Sequence, residues 1–412
     1  MNDGDFVVLN NFYAYENPLA PTTFAIVSPC DILDVMPINI VHVAASPVFG
    51  GVERLILEIC CSLERTKDIK HIVASFPEEG RLMPFIQEIE KAGLPAYCFQ
   101  NDMPHLIAAT RELTRLLKQH DIQILCAHGH KARMLGWFAA QWLRIPIVGI
   151  SHGWTGETKT VKLYERIDKW MHRRMDHIVC VSQGQADKVI RFGTPASRVS
   201  VIYNAVRKDR FDVPSDISYR HRLESLFPNK PKLIVGAAGR LSPEKGLDIL
   251  VTAAEKLVKT VSDVGIVIFG EGVLQESLQK QIAASGLSPS VVLAGFTGGL
   301  DQYMHHFDLF VQSSHTEGMP SVLLEAMAAR TAVVATQVGG TGELVVENST
   351  GLMVSPNDPD ALADAMVKVL SDDELRRTMG ENGRQRVEQS FAIEPQADAY
   401  WELFCRLLGT SN

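Results

Sequence analysis

The chain has 412 residues, 46% of them hydrophobic and 21% charged, with a formal net charge of −8. That length exceeds one ordinary hydrophobic core, so the composition predicts a soluble globular protein of two domains. No apolar run approaches the roughly 18 residues a spanning helix needs and no basic-then-apolar leader opens the chain, so neither a membrane span nor a signal peptide is expected, and no nucleic-acid partner.

In chain order, residues 1–37 contain no Lys or Arg and little periodicity, and read as an N-terminal extension of flexible character. Regular patterning begins at INIVHVAA (38–45) and continues with strand candidates at 70–75, 95–99, 122–127, 146–151 and 177–182. Helical patterns such as VERLILEICCSL (52–63) and LIAATRELTRLLKQH (106–120) fall between them. This alternation predicts a parallel sheet covered on both faces, in a first domain over 38–206. The polar stretch 207–232 reads as a linker. A second series follows at 231–239, 265–270, 291–295, 308–312 and 332–336, giving a second domain to residue 391. A final helical segment covers 392–412. The seven cysteines form no Cys-x-x-Cys pair, so buried reduced thiols of a cytosolic protein are expected rather than disulfides or zinc. Residues 38–200 carry an excess of base and 201–412 an excess of acid, which is either surface variation or the mark of an anionic partner for the first half.

Two doubly wound domains leave a cleft at the carboxyl ends of their strands, where ligands bind. The candidate residues fall at such ends. The strand FDLFVQSS (307–314) runs into HTEGMPSVLLEAMA (315–328). A strand, a small-residue loop and a helix start make an anion site, because the first helical amides are unpaired. Pro320 suits a first turn, and Ser321 and Glu325 share one helix face. Glu325 stands about 7–8 Å along the axis from the helix start, near the offset between a diphosphate and its ribose. Glu317, in the loop beside Gly318 and Pro320, then faces whatever lies beyond the phosphate. In GRLSPEKGLDIL (239–250), Gly239 permits a close turn, Arg240 offers a fork and Lys245 a point charge to phosphate, and the two cations stabilise a leaving diphosphate. Gly50 and Gly51 open a helix in the first domain, and His152 ends the strand 146–151. His128 and His130 lack a carboxylate cluster and read as packing or acceptor contacts. Asp358, Asp360, Asp372 and Asp373 sit at helix starts, where acidic residues cap. No metal site is expected.

Together the segment Glu317 to Glu325, GRLSPEKG (239–246), FGEG (269–272) and VIYNAV (201–206) resemble the retaining glycosyltransferases of the GT-B fold, family 4, over residues 38–408. Ala205 stands where that family usually has Gly. The resemblance implies two Rossmann-like α/β domains facing a cleft, and a C-terminal helix that crosses back to the first domain. It implies that Arg240 and Lys245 hold the diphosphate, Glu325 the ribose, and Glu317 with the Gly318 and Met319 amides the donor sugar. His152 would contact the sugar near the reacting carbon, and Gly51 would lie close to the diphosphate. The implied reaction moves a sugar from a nucleotide-diphosphate sugar to a saccharide or lipid-linked acceptor with retention, in cell-surface polysaccharide or glycolipid synthesis, and no cofactor is required.

Retention through a carboxylate pair about 5–5.5 Å apart needs a second acid that the sequence does not supply, so a front-face route is preferred. The basic segment 159–177, with Leu163, Ile167, Trp170 and Met171 at helical spacing, is either core with solvated bases or a surface for an anionic bilayer. A cytoplasmic protein, peripheral at the inner membrane face, is the matching location. A phosphorylase of related fold and a nucleotide-sugar binder without transfer activity stand as alternatives. The Gly270–Gly272 pair leaves the nicotinamide fingerprint incomplete.

Overall fold

The structure, a computed structural model, describes residues 37–46, 49–76, 83–102, 105–154, 159–212 and 216–409, without the side chains of 159–165. The expected N-terminal extension lies outside these residues except for Pro37.

Among the described residues, seven strands form the first sheet: β1 (Ile38–Ala44), β2 (Ile69–Ser75), β3 (Ala96–Cys98), β4 (Ile124–His128), β5 (Ile147–Ser151), β6 (His177–Cys180) and β7 (Val199–Val201). Their order is β3-β2-β1-β4-β5-β6-β7, and every pairing is parallel. Six more, β8 (Leu233–Ala238), β9 (Val264–Phe269), β10 (Val291–Gly295), β11 (Leu309–Gln312), β12 (Val333–Thr336) and β13 (Gly351–Val354), form a second parallel sheet ordered β10-β9-β8-β11-β12-β13. Both follow the doubly wound pattern, reversing direction beside their first strand. The crevice above β1 and β4 therefore faces the one above β8 and β11.

The central strands are buried from end to end, as sheets with helices on both faces require. The helix Gly51–Thr66 buries Leu55, Ile56, Ile59, Cys60 and Leu63 at helical spacing, which seats it on β1 and β2. The edge strands β7 and β13 were not among the expected strands. At three and four residues, neither is long enough to show a period. The stretch expected as a linker is also folded. A short 3₁₀ turn covers Lys208–Phe211 and a helix covers Ile217–Ser225, with Phe211, Leu223 and Phe227 buried in the second lobe.

The helix Ile393–Gly409 packs on the helix Gly51–Thr66, and its Ala397, Tyr400, Leu403 and Phe404 complete the core between that helix and the first sheet. All five tryptophans lie in the first lobe or on this helix, so tryptophan fluorescence reports the first lobe. Phe404 is fully buried, and Phe404→Ala should destabilise that lobe by about 3–5 kcal/mol. Urea unfolding followed by tryptophan emission measures this, and an unshifted midpoint would show that the helix is not part of the lobe's core.

Candidate active site

The second lobe supplies a charged cluster at the ends of β8 and β11. β8 leads through Gly239 and Arg240 into the 3₁₀ turn Pro243–Lys245, and β11 leads through Ser313 and Ser314 to Glu317. Three donors meet on one Glu317 oxygen: Lys245 Nζ at 2.7 Å, Ser314 Oγ at 2.7 Å and Gln312 Nε2 at 3.3 Å. The Lys245 and Glu317 side chains are largely buried, at 24% and 10% exposure. Arg240 is instead 66% exposed, with Nη2 3.7 Å from Glu244 Oε1. The two cations expected to act together are thus placed differently, Lys245 held inward on Glu317 and Arg240 exposed beside Glu244.

The helix Ser321–Ala328 begins after Pro320, which occupies the N-cap rather than the first turn. Its start faces the start of the helix Gly51–Thr66 so closely that a Cβ on Gly51 would collide with Ser321 Oγ. Two helix starts thus bring unpaired amides and partial positive charge to one gap. The Gly50 amide is already taken, donating to Glu53 Oε2 at 3.0 Å. Beside the gap, a narrow recess is lined by Arg54, Glu58, Arg210 and Glu325 among others. Arg210 Nη1 lies 3.0 Å from Glu58 and 3.4 Å from Glu325, and its Nη2 lies 3.1 Å from Asp301. Burial pushes both the Glu58 and Glu325 carboxyls above the usual range, with Arg210 opposing it in each case.

The lobes also meet where His152 follows β5. A Cβ at Gly318 would overlap the His152 carbonyl oxygen, so only glycine allows this approach. Asn204, in the VIYNAV segment, donates through Nδ2 to the Met319 carbonyl at 2.9 Å and fixes the same loop. Across the seam, the Glu343 carboxylate accepts from the Gln183 and Gly184 amides at 2.8 and 3.0 Å. The His152 ring ends a row of imidazoles. Its Nε2 is 3.3 Å from His128 Nδ1, and His128 Nε2 is 3.1 Å from His42 Nδ1. Burial, together with the nearby Arg133 charge, pushes His152 down to about 4, so it is neutral near pH 7.

Sequence reasoning missed the support beneath His152. Arg133 is buried and makes a two-pronged contact with Asp168 at 2.7 and 2.8 Å, while Trp154 Nε1 donates to Asp168 at 2.9 Å. Burial alone would raise the Asp168 carboxyl, but Arg133 overrides it and brings it to about 2. Asp168 belongs to the segment noted for its basic residues, and its i+3 neighbour Met171 is buried with it. Trp170 and Ile167, in contrast, are 47% and 42% exposed, so the apolar stripe is divided between core and surface. The side chain of Leu163 lies outside those described. Arg210 and Asp301 were missed too, Arg210 because it sits in what reads as a polar linker. The acidic pairs near 358 and 372 do cap helices: Asp358 accepts from Ala361 N and Asp372 from Leu375 N, each at 2.9 Å.

Two facing doubly wound lobes, with helix starts opposed over a gap, define the GT-B class of glycosyltransferase. Residues 49–210 match the family described as Glycosyltransferase Family 4, and residues 220–386 match the one described as Glycosyl transferases group 1. The chain belongs to the GT-B glycosyltransferases of family 4 type. It is 30% identical over 249 residues to the lipopolysaccharide core biosynthesis mannosyltransferase LpcC of Rhizobium leguminosarum bv. viciae, covering 59% of this chain and 68% of that one. It is 25% identical over 381 residues to the UDP-Gal:alpha-D-GlcNAc-diphosphoundecaprenol alpha-1,3-galactosyltransferase of Escherichia coli, covering 89% and 96%. The fold is similar to that of Anabaena Alr3699/HepE, solved in complex with UDP and glucose, with a TM-score of 0.78 at 23% identity over 89% of this chain and 99% of that one.

His172 and His177 are also pushed down, to about 3 and about 4, in both cases chiefly by burial. With His152 they stay unprotonated in the native state, while the unfolded chain takes up protons below about 6.5. The unfolded state then binds more protons, so stability falls as pH drops from about 6.5 toward 4, by up to about 1.4 kcal/mol per pH unit for each fully titrating imidazole. Urea midpoints at pH 7, 6 and 5 should decline in that order; a level series contradicts the neutral burial of these rings.

Proposed function

We propose that the protein transfers a glycosyl group from a nucleoside diphosphate sugar, a uridine nucleotide first among candidates, to a saccharide or lipid-linked acceptor with retention of configuration. The observation that carries this is the gap between the two helix starts, flanked by Lys245–Glu317 on one side and Glu325 on the other. A diphosphate bound against these helix starts, once the lobes part enough to admit it, accepts from the helix amides. Lys245, a short distance away on Glu317, and exposed Arg240 supply the balancing charge. Glu325 then faces the ribose, and the Gly318–Met319 loop faces the sugar. The nucleotide choice follows the relatives, since the E. coli enzyme is named for UDP-Gal and the Anabaena structure holds UDP.

A front-face course suits the geometry. Glu317 has one oxygen engaged by three donors, which suits a carboxylate that positions the sugar rather than one that attacks it. The bond from the anomeric carbon to phosphate breaks as a bond to the acceptor oxygen forms on the same face. The acceptor proton passes to the departing phosphate, and Arg240 and Lys245 stabilise the charge. Neutral His152 provides a hydrogen bond beside the reacting carbon without adding charge.

An exposed surface on the first lobe supports contact with an anionic membrane on the cytoplasmic side. Phe138 and Trp142 are 45% and 77% exposed on the helix His130–Leu143, and Ile167 and Trp170 are exposed on the helix Lys159–His172 that packs against it. Arg174 stacks on Trp170, 3.4 Å from the ring centroid, and Arg144, Arg166 and Arg173 lie close in the chain. Aromatic rings with neighbouring bases are the composition of an interfacial contact, and the acceptor class of the E. coli relative is a diphosphoundecaprenol lipid.

Nucleotide release should be detected with one class among UDP, GDP and ADP sugars. Glu317→Ala should lower kcat by roughly 10²–10³ with nucleotide binding retained, and Glu325→Ala should chiefly raise the donor KM. Release of sugar phosphate, dependent on inorganic phosphate, would assign a phosphorylase instead. For the membrane surface, sedimentation with phosphatidylglycerol vesicles should drop at least tenfold in Trp142→Ser/Trp170→Ser and fall with added salt. Equal binding by the double variant removes this surface from the proposal.

A further inference from the structure

Behind the row of imidazoles lies a group that the cleft chemistry does not use. His42 on β1, Cys60 on the helix Gly51–Thr66 and His71 on β2 are all buried, at 1%, 0% and 1% exposure. Each offers a ligand atom, and the three atoms lie within 4.8 Å of one another. The rings of His42 and His71 have centroids 5.3 Å apart. No helix start or surface acid contributes.

Two observations point to a ligand. His42 Nε2 and His71 Nε2 are buried without a hydrogen-bond partner, a costly condition for polar atoms in a core. The opposite ring nitrogens, meanwhile, have second groups to face. His42 Nδ1 is 3.1 Å from His128 Nε2, and His71 Nδ1, which has no hydrogen-bond partner either, is 3.5 Å from a Glu64 carboxylate oxygen whose side chain is 30% exposed. Metal-binding histidines are arranged this way, with one nitrogen free for the ion and the other oriented by a carboxylate or another acceptor.

We propose that His42, Cys60 and His71 form a buried site for a thiophilic closed-shell cation, Zn(II) or Cu(I). One thiolate and two neutral imidazoles suit both ions and do not suit Mg(II) or Ca(II), which take oxygen ligands. The three-ligand set lacks the fourth protein ligand of a closed zinc site. Binding replaces the Cys60 thiol proton with the ion and releases that proton, and no oxidant or reductant is involved. The ion joins β1, β2 and the helix they carry, the same helix whose start faces Ser321 across the cleft. The site is separate from the diphosphate gap and does not take part in the transfer.

The test uses the full chain, refolded with Zn(II) or, anaerobically under reductant, with Cu(I), then washed with a moderate chelator. Elemental analysis should find about one ion per wild-type chain and less than about a tenth of that in Cys60→Ser and in His71→Phe. Protein refolded with Co(II) should display a thiolate-to-metal charge-transfer band that Cys60→Ser lacks. Circular dichroism establishes which variants fold, and the wild-type cobalt band stands by itself if one does not. Wild-type protein that retains neither Zn(II) nor Cu(I) and has no thiolate band with Co(II) overturns the proposal, as does retention equal to that of both folded variants.

Discussion

One guanidinium bridges carboxylates of both lobes beside the cleft. Arg210 lies between Glu58 of the first lobe and Asp301 and Glu325 of the second, within 3.0–3.4 Å of all three. Burial disfavours the ionised form of Glu58 and Glu325, and Arg210 is the principal charge opposing that. Removing one member of such a buried cluster typically costs about 3–5 kcal/mol, because the charges left behind are uncompensated. The cluster lies beside the opposed helix starts. Any group that bonds to Glu325 therefore competes directly with Arg210.

The first lobe handles charge in another way. Its buried imidazoles are kept neutral, and a deeply buried ion pair, Arg133 with Asp168, is hydrogen-bonded further by Trp154 and the Ile150 carbonyl. The Arg133 charge helps suppress protonation of His152 and His128. Burial, with a positive group one layer below it, thus keeps the His152 ring uncharged, while the second lobe presents the cations Arg240 and Lys245.

Much of this was legible in the sequence because it depends on local order. The alternation of apolar runs and helical patterns foretold parallel sheets, and the stretch from Glu317 to Glu325 foretold the loop and helix start that follow β11. What stayed hidden depends on tertiary proximity. His42, Cys60 and His71 have no diagnostic spacing, because β1, a helix and β2 bring them together. Arg210 was hidden by the polar composition around it, although Phe211 beside it is a core residue. The bond from Asn204 to the Met319 carbonyl joins residues 115 positions apart, so a motif visible as a resemblance acquired its physical role only from the fold. The division of the 159–177 stripe could not be read from periodicity, because Asp168 is drawn inward by Arg133.

The helix Ile393–Gly409 carries a consequence for biogenesis. Ala397, Tyr400, Leu403 and Phe404 fill the core of the first lobe, yet a ribosome delivers them only after the entire second lobe has emerged. Through most of translation the nascent first lobe bears an uncovered apolar flank along Ile56, Ile59 and Leu63, where other chains or chaperones can bind. The two lobes are thus not independent folding units in the order of their synthesis, and severing the chain between them yields a first half that still lacks part of its own interior.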